Sequence, residues 1–115
     1  MIYQGSCHCR KIAYEVDCKI GEVIECNCSI CQRRGHLLTF VPRGKLSLKT
    51  PVDALADYGF NAHRIHHHFC PNCGCSPFAL GADKEGNEMA AINVRCLEDV
   101  DIAALKIKHV DGRSL

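Results

Sequence analysis

The chain has 115 residues, 47% hydrophobic with its cysteines counted, and only 6% aromatic with no tryptophan. That length predicts one domain over residues 1–115 with a modest apolar core, so further stability must come from elsewhere, and cysteine is the candidate. A formal net charge of +1 gives no field to draw nucleic acid or an acidic membrane surface, and zinc-bound thiolates would turn the balance negative.

The segment from Met1 to His8 lacks a basic stretch followed by an apolar run, so the expected compartment is the cytoplasm, where thiols stay reduced. No apolar run approaches the ~20 residues needed to cross a bilayer.

In chain order, the first feature is Cys7-His8-Cys9. In an extended segment this spacing points both sulfurs to one side, where they can pinch a metal ion. The alternation in Ile12-Ala13-Tyr14-Glu15-Val16 predicts a half-buried strand with Ile12, Tyr14 and Val16 on one face. Cys18 reads as a buried small apolar residue. A strand from Val23 to Cys26 leads into Cys26-Asn27-Cys28-Ser29-Ile30-Cys31, three thiols in six residues. A short helix is predicted from Ser29, read as its N-cap, through Arg34 to a stop at Gly35. Arg33 and Arg34 are either solvated helix charges or holders of substrate carboxylates.

Three protein ligands leave a tetrahedral ion one open position, the mark of a catalytic zinc, where a substrate thiol can lose its proton. A fourth ligand would make the site structural, and Cys75, His36, His66, His67 and His68 are the candidates.

Further strands are predicted over Leu37 to Val41, Leu46 to Leu48, Leu55 to Phe60, Arg64 to Phe69 and Met89 to Val94. Within the histidine run, alternation puts His67 on one face with Ile65 and Phe69 and its neighbours on the other, which favours packing or surface roles. Cys70-Pro71-Asn72-Cys73-Gly74 is the most specific signal and reads as a zinc knuckle. Pro71 sets the turn, Gly74 permits a positive φ, and turn amides can donate to sulfur. A closed site needs two more ligands, for which Cys7 and Cys9 are the natural partners, although spacing alone also allows them a different site. Cys96 reads like Cys18, and a last short turn is expected from Asp101 to Leu105. Many short strands around cysteine clusters predict a mainly β fold, twisted and mostly antiparallel, with one or two short helical turns.

Gly5-Ser6-Cys7-His8-Cys9, Cys26 through Gly35, Phe69 through Gly74, Ile92-Asn93-Val94-Arg95 and Asp111-Gly112-Arg113-Ser114 together resemble the glutathione-dependent formaldehyde-activating enzyme family, whose domain centromere protein V shares. The resemblance implies a zinc-stapled β-tent. It also implies two zinc ions per chain: a structural one on Cys7, Cys9, Cys70 and Cys73, and a catalytic one on Cys26, Cys28 and Cys31. The implied activity is that of a carbon-sulfur lyase acting on S-hydroxymethylglutathione, formed from glutathione and formaldehyde. The rival reading is a non-enzymatic zinc module that binds a protein or nucleic-acid partner. Two positions depart from the family pattern. Arg10 stands where glycine is usual, which is expected to change surface charge only, and Cys75 stands where a small hydroxyl residue is common.

Overall fold

The computed structural model describes residues 1–60 and 64–114. Its ten described strands are β1 (Ile2–Ser6), β2 (Ala13–Asp17), β3 (Glu22–Cys26), β4 (Leu38–Pro42), β5 (Leu46–Leu48), β6 (Ala56–Tyr58), β7 (His66–Phe69), β8 (Phe78–Ala82), β9 (Glu88–Asn93) and β10 (Lys106–Val110). One helix, α1 (Ser29–Arg34), and short 3-10 turns complete the described secondary structure. The fold is mainly β, as expected. A three-stranded sheet runs β1-β2-β5 and a seven-stranded sheet runs β10-β3-β4-β9-β8-β7-β6.

The expected alternation in β2 is realised, for Ile12, Tyr14 and Val16 are fully buried. Tyr14, from the small sheet, meets Phe78, from the large one, edge to face at 5.3 Å and 84°, so the core lies where the sheets face each other. Such aromatic pairs add about 1 kcal/mol beyond the area they bury. Gly5 is required opposite Tyr14, because a Cβ there would enter the phenol ring.

Several boundaries differ from expectation. Cys28, extended at φ −61° and ψ 163°, is the N-cap of α1, and Ser29 is its first helical residue. The helix closes on Gly35, left-handed at φ 68°, as expected. Three strands, β1, β8 and β10, carry no clear alternation, and β10 pairs with β3 in parallel, from Lys106 against Glu22 to Val110 against Cys26. That pairing brings the C-terminal residues back to the end of β3. Lys106 and Lys108 line this edge strand, where their charge discourages pairing with another chain.

Candidate metal centre

Two clusters of thiols form where strands end. Cys7 and Cys9 sit in the connection between β1 and β2, and that connection is a tight turn rather than the extended segment expected from the C-x-C spacing. The Arg10 amide donates to the Cys7 carbonyl at 3.2 Å, and the Cys7 amide donates to the Ile12 carbonyl at 3.0 Å. The turn carries Arg10 at φ +68°. Arg10 therefore does more than alter surface charge: it occupies left-handed backbone that favours glycine.

Cys70 and Cys73 occupy a turn after β7, in the large sheet. The Gly74 amide donates to the Cys70 carbonyl at 2.9 Å, and Gly74 itself is at φ +82°. The amides of Asn72 and Cys73 both donate to Cys70 Sγ at 3.4 Å, and the Ile12 amide donates to Cys7 Sγ at 3.3 Å. Donors aimed at sulfur favour thiolate. Amides of Cys75 and Cys9 lower the Cys73 thiol to about 5, and the Asn72 side chain with the Lys11 amide lowers Cys9. Burial raises Cys7 to about 12.

The four sulfurs lie within 4.8 Å of one another, with Cys7 to Cys9 at 3.7 Å and Cys9 to Cys70 at 3.6 Å. Sulfurs about 2.3 Å from a tetrahedral zinc stand about 3.8 Å apart, so the donor set fits such an ion. An ion held here would join the hairpin of the small sheet to the end of β7 in the large one.

Cys26, Cys28 and Cys31 form the second cluster, also within 4.8 Å of one another. They come from the end of β3, the cap of α1 and its first turn. The Cys28 amide donates to Cys26 Sγ at 3.4 Å. Burial opposes ionisation of Cys28, but the amides of Cys31 and Ile30 and the neighbouring thiols outweigh it and lower its pKa. Burial, reinforced by Cys28 and Cys26, raises Cys31. Among the described residues no fourth donor joins this set. Cys75 lies by the first cluster, where its carbonyl accepts from the Cys70 amide at 2.9 Å.

The C-terminal segment covers Cys26. Asn27 donates through its side chain to Asp111 at 3.0 Å and accepts from the Arg113 amide at 2.9 Å, while Arg113 also bonds Gln32. These bonds press Gly112 onto Cys26 Sγ. The Asp-Gly-Arg-Ser run is visible in the sequence, but its contact with the cluster is not.

On one side of the cluster, Cys26, Cys28 and Cys31 border a cavity of about 280 Å³ whose other walls include Leu38, Phe60, Phe78 and Ala91. His36 and His67 also line it. Both are buried, and His36 Nε2 and His67 Nδ1 have no hydrogen-bond partner. Burial, then Arg34 and His67, lowers His36 to about 4, and burial followed by Arg34 lowers His67. Both imidazoles are therefore neutral at physiological pH. Cys26 and Cys31 also border a polar groove with Glu25, Asn27, Gln32, His109 and Asp111.

The other candidate residues have structural partners. His66 pairs with Asp57 at 2.8 Å, and His68 packs against Phe78. Arg33 donates to the Ser29 carbonyl at 3.0 Å. Arg34 donates to Ser76 Oγ at 3.0 Å and stacks over Tyr58 and Phe69. Cys18 and Cys96 are half-buried and belong to neither cluster.

The family model of the glutathione-dependent formaldehyde-activating enzyme matches residues 2–110. The chain belongs to that family. A Rhodobacter sphaeroides protein of known crystal structure is 26% identical, with a TM-score of 0.77 over 91% of this chain and 99% of its own. Membership in the glutathione-dependent formaldehyde-activating family points to an enzyme role connected with glutathione and formaldehyde, and the matched span contains all seven clustered cysteines. Gly112 lies just beyond it. No described helix is long and apolar enough to cross a membrane.

Proposed function

We propose that the chain is a zinc-dependent carbon-sulfur lyase that makes and breaks the bond between a small thiol, such as glutathione, and a carbonyl carbon, as in S-hydroxymethylglutathione. Cys7, Cys9, Cys70 and Cys73 hold the structural zinc in this reading, and Cys26, Cys28 and Cys31 hold the catalytic one. The observation that carries it is a set of three mutually adjacent thiols on the wall of a cavity, without a fourth donor among the described residues. Zinc bound by three thiolates supplies a Lewis acid that lowers the pKa of an incoming thiol.

The chain's own residues make that chemistry possible. Amides at the start of α1 favour ionised Cys28, the latch from Asp111 to Arg113 fixes Cys26, and the apolar walls exclude water. The same reading takes residues 1–115 as one cytoplasmic domain, consistent with ten free cysteines.

The test is Cys28→Ser assayed for glutathione-dependent consumption of formaldehyde. Turnover should fall to background while circular dichroism shows the fold intact. Full turnover in Cys28→Ser would contradict the assignment. A non-enzymatic zinc module would show no turnover in the unsubstituted protein either.

A further inference from the structure

The cavity is poorly matched to formaldehyde. A dry cavity of about 150 Å³ lined by Leu, Ile and Phe takes up benzene, and the one beside Cys26, Cys28 and Cys31 is about 280 Å³. Formaldehyde, with two heavy atoms, would leave most of that space empty or wet. Leu38, Phe60, Ile65 and Phe78 offer side-chain surface suited to an apolar body, and no charged side chain lines the cavity among the described residues.

Its polar content is confined to a few groups. His36 and His67 are only 5% and 7% exposed, and each has a ring nitrogen without a partner. Those two nitrogens are buried in the cavity wall, so a ligand oxygen pairs with them as the rings turn toward the cavity, which relieves an unsatisfied polar atom. A groove that also borders Cys26 and Cys31 has the opposite character, with Glu25, Asn27, Gln32 and Asp111 among its lining residues. Cys26 and Cys31 thus border both an apolar space and a polar one.

The geometry points to an apolar or aromatic aldehyde as the carbonyl substrate, its hydrocarbon body in the cavity and its oxygen toward His36 and His67, with the thiol partner entering from the polar groove. This assignment rests on the lyase reading above and replaces formaldehyde by a larger carbonyl compound. The reaction is balanced. The thiol sulfur bonds to the aldehyde carbon, the carbonyl π pair moves to oxygen, and that oxygen takes the proton the thiol gave up. One thiol and one aldehyde give one hemithioacetal, with no oxidant or reductant. A neutral imidazole turned with an N–H to the cavity donates to the carbonyl oxygen as charge develops there, without the cost of burying a cation.

The test uses the zinc-loaded full chain in two arms. The first titrates 3-phenylpropan-1-ol, a non-reactive probe of similar shape, and follows the imidazole NMR signals of His36 and His67. Saturable shifts at both are expected, and Ala91→Phe, which fills the cavity, should weaken the apparent Kd at least tenfold with zinc content unchanged. The second arm compares 3-phenylpropanal with formaldehyde in the presence of glutathione, where kcat/KM should favour the aromatic aldehyde at least tenfold. Should Ala91→Phe not fold, the titration of the unsubstituted chain decides. Absence of shifts, or preference for formaldehyde, overturns the apolar-aldehyde assignment while turnover of formaldehyde leaves the lyase reading standing. Failure to turn over either aldehyde overturns both.

Discussion

Gly112 rests directly on the sulfur of Cys26: a Cβ at position 112 would collide with Sγ, and it would also stand 3.4 Å from the Cβ of Cys28. Gly112→Ala must therefore displace either the tail or a sulfur of the second cluster. Loss of a residue that orients metal ligands typically costs about 10- to 100-fold in affinity. We expect the second zinc to bind weaker by that factor in a competition assay with a chelator, while the first stays bound. A second-site affinity unchanged from that of the unsubstituted chain would show that the tail gives way freely.

Arg10 holds a left-handed backbone at φ +68°. Its nearest charge partner is Glu98 at 3.9 Å, and both side chains are largely exposed, so the pair contributes little. Left-handed backbone costs a residue with a Cβ about 1–2 kcal/mol, against the roughly 0.5–1 kcal/mol of extra chain entropy glycine loses on folding. Arg10→Gly should raise the thermal midpoint by a few degrees, whereas Arg10→Ala, which keeps the Cβ, should leave it almost unchanged. A lower midpoint for Arg10→Gly would contradict this account of the turn.

His36 gives the fold a pH dependence. Burial lowers its pKa from 6.5 to about 4, so the unfolded chain binds the proton more readily than the folded one. Stability from this group is complete above about 6.5 and falls as pH drops toward about 4, by roughly 3 kcal/mol in total. Urea unfolding at several pH values, with zinc content followed alongside, should show a smaller loss over that window in His36→Gln than in the unsubstituted chain. Parallel losses would place the acid sensitivity elsewhere.

The two clusters should respond differently to loss of one ligand. Structural zinc sites bind with about 10–16 kcal/mol of apparent free energy, as much as the whole stability of a small domain. Cys70→Ser, at a fully buried position joining the sheets, should leave the chain insoluble or unfolded. Cys28→Ser should remain folded and carry one zinc. A folded Cys70→Ser chain with normal zinc content would remove the first cluster from its structural role.

What could be read in the sequence follows from range. The knuckle at Cys70 to Gly74 is local, and its amide-to-sulfur bonds and positive φ at Gly74 are set by neighbours in the chain. β2 was legible because Tyr14 and Val16 alternate with polar or small neighbours. β10 was not, because Lys106 and Lys108 flank Ile107, which is itself partly exposed on an edge strand. Nor was the role of Arg10, since a backbone angle in a turn leaves no hydropathy signal. The face of His67 could be read from alternation in β7. Its place on a cavity beside Cys31 and Phe78 could not, because that neighbourhood is assembled from separate strands and the helix.

Cobalt substitution followed by glutathione titration reports metal number, sulfur coordination and thiol access together. The expected result is two cobalt ions per folded chain, both with thiolate charge-transfer absorption, and a glutathione-dependent spectral change equivalent to one of them. A folded chain that binds no metal, or two cobalt sites indifferent to glutathione, would contradict the account of one closed and one accessible thiolate site.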